Sequence, residues 1–167
     1  TMQFRPTANT GNGSNLIGNA ATLTFTTDPL TANGYAGGTF EYQGSASGGA
    51  LTEVIGQLIP TAGAGVVKVT ANGGTPTLSI ASLGTRGAGA TLNLNPGAGA
   101  SIIFAAAAGS NGILGGYATF GAAGTDFAAS VAAAGTAAAL TGQATLLTSG
   151  GVSTTNYQST ATPGGTL

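Results

Sequence analysis

Short runs of β-prone residues recur along the chain at intervals of roughly 10 to 17 residues, separated by glycine-rich turns. Most of them alternate polar and apolar side chains, which is the period of a strand buried on one face. The runs cover 21–25, 38–42, 54–59, 66–70, 77–80, 90–94, 100–104, 117–120 and 145–148. The predicted turns are Asn33-Gly34, Asn72-Gly73-Gly74, Pro96-Gly97, Ser110-Asn111-Gly112 and Ser149-Gly150-Gly151. This pattern predicts an all-β fold.

The dipeptide Thr-Leu recurs within these runs, at Thr22-Leu23, Thr77-Leu78, Thr91-Leu92 and Thr166-Leu167. Such recurrence favours stacked coils, in which each side chain lies over its equivalent in the coil below. Thr and Asn would then form polar ladders outside, with Leu, Ile and Phe stacked inside. The sequence therefore predicts a parallel β-helix, or β-solenoid, with glycine at corners that need positive φ.

A two-sheet β-sandwich or jelly roll is the alternative fold for the same runs. In that fold, residues 1–20 would form an N-terminal arm that donates a strand to the next subunit. The two folds differ in whether neighbouring strands run parallel. At 15.7 kDa, the 167 residues fit one domain. We expect a single solenoid-like domain over 1–167, either a processed mature protein or a piece of a longer chain.

Charged and metal-binding side chains are scarce. Three Lys/Arg and four Asp/Glu accompany 31 glycines, and there is no histidine or cysteine. This excludes histidine-dependent triads, disulfide frameworks and thiolate metal sites, and the lack of a basic patch argues against nucleic acid. Stacked coils also disfavour charge, because like side chains would lie about 4.8 Å apart. We expect no catalytic residue, cofactor, metal ligand or membrane span.

Four carboxylates are the remaining acid–base candidates. Glu41 and Glu53 would form a glycosidase-like pair if they faced each other across neighbouring strands, but two solvated strand or loop charges are the favoured interpretation. Asp28 precedes a proline and is interpreted as a turn residue. Asp126 lies near the start of 125–135, which fits a short capped helix and an extended strand equally well.

Arg86 is the most interesting single residue. It is either an anion or glycan contact or, as we favour, a corner arginine that donates to backbone carbonyls of adjacent turns. The loop around it, 84–89, lacks the lysine and the spacing of a phosphate-binding loop. Asn12-Gly13-Ser14 is a glycosylation sequon. Eight of the ten aromatic residues form either a sugar-stacking platform or, as we favour, core and inter-coil stacks; they are Phe4, Phe25, Phe40, Tyr42, Phe104, Tyr117, Phe120 and Tyr157.

Several segments resemble the autotransporter-associated β-strand repeat proteins of bacteria. They are Gly37-Gly-Thr-Phe-Glu-Tyr-Gln-Gly-Ser-Ala-Ser47, Glu53-Val-Ile-Gly-Gln-Leu58, Leu78-Ser-Ile-Ala-Ser-Leu-Gly-Thr-Arg-Gly-Ala-Gly-Ala-Thr-Leu-Asn-Leu94, Asn111-Gly-Ile-Leu-Gly-Gly-Tyr-Ala-Thr-Phe120 and Thr125-Asp-Phe-Ala128. The resemblance implies a passenger-like parallel β-helix exported to the cell surface. It also implies structural roles for Arg86 and Asn111-Gly112, and it carries over no catalytic residue.

The expected function is that of a non-enzymatic structural protein, extracellular or on the cell surface. It would self-assemble with copies of itself into a filament, sheath or surface layer through β-edge and lateral contacts. The alternative is an adhesin-type passenger that binds glycans or surfaces. A β-helical polysaccharide lyase or hydrolase is a third hypothesis, which the scarcity of acids and bases disfavours.

Overall fold

The computed structural model describes residues 2–4, 16–26, 37–131, 133–140, 144–145 and 157–158. Within these residues, every helix or strand assigned is a β-strand, which confirms the all-β fold class. The strands are β1 (Met2–Phe4), β2 (Thr22–Phe25), β3 (Gly37–Gln43), β4 (Ala50–Pro60), β5 (Ala64–Thr70), β6 (Thr75–Leu83), β7 (Thr91–Pro96), β8 (Ser101–Phe104), β9 (Ala108–Ile113), β10 (Ala118–Phe120), β11 (Asp126–Phe127), β12 (Ala129–Val131), β13 (Gly135–Thr136), β14 (Ala144–Thr145) and β15 (Tyr157–Gln158).

Two sheets that receive strands alternately form the body of the molecule. Sheet A contains β1, β3, β5, β7, β10 and β11 in spatial order, and sheet B contains β13, β8, β6, β4 and β2. From β2 to β8, each coil gives one strand to each sheet, and neighbouring strands within a sheet run parallel. The fold is a β-solenoid of about three coils. The predicted solenoid is confirmed, and the sandwich alternative is wrong because its strands would pair mainly antiparallel.

From β3 to β8, neighbouring coils lie in register, about 24 to 27 residues apart in the sequence. On the inward side of sheet A, Phe40 pairs with Val67 and Val67 pairs with Leu94. On the inward side of sheet B, Ile55 pairs with Ile80. These rows join in one hydrophobic core between the sheets. Apolar stacking of this kind removes one side of every coil from water, which is the main stabilising term in the fold.

The three Thr-Leu dipeptides within the described residues do not stack on one another, contrary to the sequence-based expectation, and Thr166-Leu167 lies outside those residues. Thr22 pairs with Gln57, and Thr77 pairs with Thr52, so the two dipeptides of sheet B occupy different rows. Thr91 lies in sheet A. Apolar and polar rows do form, and the dipeptide residues join them at different places. Thr77 lies between Thr52 and Ser101, and Leu78 lies between Glu53 and Ile102. The lengths of the corners set the register, and a recurring dipeptide does not report those lengths.

Glycines with positive φ recur at one corner of the coil, between each sheet A strand and the sheet B strand that follows it. Gly48, Gly73 and Gly99 lie there in successive coils, with φ of 80°, 91° and 75°. This region is costly for residues that carry a Cβ. The prediction of glycine corners is confirmed at these positions.

The C-terminal end of the solenoid reverses its strand direction. Antiparallel pairs form between β10 and β11, between β8 and β13, and between β9 and β12. The helix alternative for 125–135 is wrong, because Asp126 lies in β11 and the segment continues into β12 and β13. The turn predicted at Ser110-Asn111-Gly112 is also wrong, since these residues lie within β9. Pairing with strands distant in sequence overrides the local signal in both cases.

The described parts of the N-terminal segment pack on their own subunit. Met2–Phe4 pairs in parallel with Phe40, Glu41 and Tyr42 of β3. β2 pairs with β4 in sheet B. Residues 2–4 and 16–20 of the predicted arm therefore contribute to the first coil of the same chain.

Candidate functional site

The two ends of the solenoid carry the exposed apolar side chains. Among the described residues, three large hydrophobic side chains are exposed: Met2 at 60%, Leu16 at 40% and Phe127 at 49%. Met2 lies in β1, the outermost strand of sheet A at one end, and Phe127 lies in β11, the outermost strand at the other. Leu16 precedes β2, the outermost strand of sheet B. Sequence reasoning missed these residues, because exposure at an end depends on coil order.

A groove of about 350 Å³ opens between the edge strands at the N-terminal end. Its apolar lining comes from Met2, Leu23, Phe25 and Phe40. Thr24 and residues 37–39 complete the lining. In the described chain, no strand lies beyond β1 in sheet A or beyond β2 in sheet B. Leu23 is partly exposed at this groove, while Phe25 and Phe40 are buried.

Glu53 lies inside sheet B and is fully buried, with an exposure of 0%. It occupies the inward row that continues with Leu78 and Ile102. Its carboxylate accepts the backbone N–H of Leu16 at 2.9 Å and that of Ile17 at 2.8 Å. A carboxyl group is tolerated in this buried position because two backbone N–H donors satisfy its oxygens. Glu53 therefore fastens the first coil to the second.

Glu41 lies in sheet A, so the two glutamates do not form a catalytic pair. Its carboxylate accepts the Thr70 hydroxyl at 2.6 Å and the Gln3 amide at 2.9 Å, and lies 3.1 Å from the Lys68 ammonium. The hydrogen bond from Thr70, then those from Lys68 and Gln3, lower the pKa of Glu41, while burial opposes them. This arrangement favours the ionised carboxylate.

Arg86 lies at the corner between β6 and β7. Its Nε donates to the carbonyl of Ala90 at 2.6 Å, which supports the interpretation of a corner arginine. Its guanidinium also lies 5.0 Å from the centre of the Tyr117 ring, a contact that the sequence did not reveal. Burial raises the pKa of Tyr117, and the charge of Arg86 acts in the opposite direction.

The aromatic residues divide between core and surface. Phe25, Phe40, Tyr42 and Phe104 are buried, as favoured, and Phe120 packs against the same core. Tyr117 is likewise partly buried and packs against that core. The side chains of Phe4 and Tyr157, the Asp28 turn and the Asn12 sequon lie outside what the structure describes. Asp126 is exposed at the C-terminal edge of sheet A.

Within the described ranges, no cluster of three or more His, Cys, Asp or Glu residues is positioned to bind a metal. The same residues contain no helix with the length and apolarity needed to span a membrane. No protein-family model, curated protein or solved structure matches this chain.

Proposed function

We propose that this chain is a non-enzymatic structural protein of the bacterial surface, of the autotransporter-associated β-strand repeat type, which associates end to end with copies of itself. The observation that carries the proposal is the location of the exposed apolar side chains. Met2 and Leu16 mark one end of the coil stack and Phe127 marks the other. Large apolar side chains between the ends are at least partly buried in the described coils.

The physical basis is the edge strand of each sheet, since within the described residues β1 and β2 have no neighbour on their outer side. An edge strand presents backbone N–H and C=O groups that a strand of another copy satisfies. The groove beside Leu23 and Phe25 adds apolar area to such a contact. Because the two ends differ, contact between them is heterologous, and a heterologous contact that does not close propagates into a filament.

The proposal is tested by sedimentation velocity and electron microscopy of the chain over a concentration series. We expect linear oligomers that lengthen with concentration. Met2→Glu and Phe127→Glu place a charge at opposite ends, and each should shorten the oligomers. Thr85→Glu is the matched control, since Thr85 is exposed in the corner between β6 and β7. A strictly monomeric chain at high concentration, or equal assembly of the Met2→Glu variant, would overturn the proposal.

An adhesin-type passenger that binds glycans remains the second candidate. The observation that favours it is a groove on the outer side of sheet A, bordered by Tyr117. A glycan array probed with the intact chain tests this candidate: saturable binding supports it, and absence of binding to every glycan contradicts it.

A further inference from the structure

A second groove, of about 320 Å³, runs beside the first residues of β5, β7 and β10. Val66, Asn93 and Thr119 follow one another along its length as outward-facing neighbours in successive coils. Ala64 contributes a short outward side chain to the groove, where the next coil carries Thr91. Tyr117 borders the groove at its C-terminal end. The result is a concave strip, roughly three coils long, with one aromatic wall.

The polar residues of this groove are held in place by the fold. The Asn93 amide donates to the carbonyl of Gly121 at 3.1 Å, and the Thr119 hydroxyl contacts Asn93 Oδ1 at 3.2 Å. Each group keeps hydrogen-bonding capacity, because an amide carries two N–H donors and a hydroxyl also accepts. Thr91 is exposed at the border of the groove. These groups fit the hydroxyls of a sugar.

Arg86 adds a positive charge beside the aromatic wall. The bond from Nε to Ala90 and the Tyr117 ring fix the guanidinium, yet the residue is exposed. In the part of the chain that the structure describes, Lys68 is the cation with a carboxylate partner and Arg86 has none. Among the described residues, its terminal nitrogens therefore have no acidic partner. A planar fork of this kind matches a carboxylate in two-point contact.

We propose that this groove binds an acidic polysaccharide through a uronate unit. The sugar ring lies against Tyr117, its carboxylate contacts the Arg86 guanidinium, and its hydroxyls contact Asn93 and Thr119. The site combines apolar surface with a few placed polar groups, as ligand sites in proteins do. The inference deepens the adhesin candidate and does not depend on end-to-end assembly.

The test is a titration of the intact chain with trigalacturonate, followed by NMR chemical shifts or calorimetry. The matched ligand is the methyl ester of the same trisaccharide, which keeps the sugar rings and removes the charge. We expect the ester to bind at least about tenfold more weakly, since a charge-assisted contact is lost. Added salt should weaken binding of the acid more than that of the ester.

Variants locate the site. Arg86→Gln and Tyr117→Ala should each reduce trigalacturonate affinity about tenfold or more, whereas Lys68→Gln removes a cation outside this groove and should leave it unchanged. Circular dichroism checks that each variant is folded, and the acid–ester comparison needs no variant. Equal affinity for acid and ester, unchanged binding by Arg86→Gln, or no binding of either ligand would overturn the inference. Glycan-array binding that Arg86→Gln retains would support the adhesin candidate while overturning this site.

Discussion

Glu41 and Lys68 lie directly opposite each other in neighbouring coils of sheet A, with carboxylate and ammonium 3.1 Å apart. Stacking in a solenoid is unfavourable for a row of like charges, whereas opposite charges in one row attract each other. Here the coil offset places opposite charges in one row, and Gln3 extends the row on the other side of Glu41. A carboxylate on the outer side of the sheet thereby becomes a link between three coils.

The contacts of the Glu41 carboxylate make a contribution to the free energy of unfolding that depends on pH. Its pKa is lowered below the ordinary value of 4.5, so the unfolded chain binds this proton more readily than the folded protein. The contribution is therefore present above pH 4.5 and lost as the pH falls through the folded pKa. Glu41→Gln should reduce the free energy of unfolding by about 1–3 kcal/mol at pH 7.

Urea unfolding of both proteins from pH 7 to pH 3 measures this effect, and the difference between them should shrink in acid. Asp126→Asn is the control, because Asp126 is an exposed carboxylate, and its effect should stay within about 0.5 kcal/mol. A Glu41→Gln difference that is constant across this pH range would contradict the prediction.

Glu53 predicts a local effect at the N-terminal end. Glu53→Gln replaces one acceptor oxygen by an NH2 group that faces a backbone N–H, and should destabilise by about 1–3 kcal/mol. The amides of Leu16 and Ile17 should then exchange with deuterium much faster, while those of β7 should be far less affected. Hydrogen exchange resolved by NMR measures both. Unchanged protection at 16 and 17 would show that the carboxylate does not hold the first coil.

A side chain at Gly65 would disturb the packing between the two sheets. A Cβ at Gly65 would lie 2.5 Å from the ring of Phe25, in the opposite sheet. Gly65→Ala should cost about 1–3 kcal/mol, because the ring must move in a closed core. Gly116→Ala is the control, since a Cβ there meets nothing within 4 Å. Thermal unfolding measures both, and combining Gly65→Ala with Phe25→Leu should recover part of the loss if the ring is the cause.

Gly73 predicts a conformational effect at a corner. Its φ of 91° is unfavourable for alanine, and a Cβ would lie 2.9 Å from the carbonyl oxygen of Ala46. Gly73→Ala should cost about 1–2 kcal/mol or more. Gly97→Ala, at a comparable corner without positive φ, should cost clearly less; its nearest contact is an ordinary 3.4 Å. If urea unfolding shows the same loss of unfolding free energy for both variants, steric crowding at the corners is the cause and backbone conformation is not.

The alternation of side chains predicted the central strands correctly, because a period of two is a local property. In β5, Val67 and Val69 are buried while Lys68 between them faces outward, as the sequence indicates. The alternation predicted that this strand begins at residue 54, whereas β4 begins at Ala50 and includes Glu53, which faces inward. Glu53 faces inward because Leu16 and Ile17 supply donors, and a partner so distant in sequence leaves no local signal.

The sequence by itself determined that the chain is all-β, where most strands of the coils lie, and that glycine forms the corners, since all three follow from local sterics and side-chain period. Only the tertiary structure decided which rows stack, because register depends on the length of each corner. It placed Glu41 over Lys68 and Glu53 under residues 16 and 17. It also decided that β11, β12 and β13 form in place of a helix, because pairing with β10, β9 and β8 stabilises strands there more than an isolated short helix would be stabilised. The location of the exposed apolar residues at both ends was likewise decided by the order of the coils.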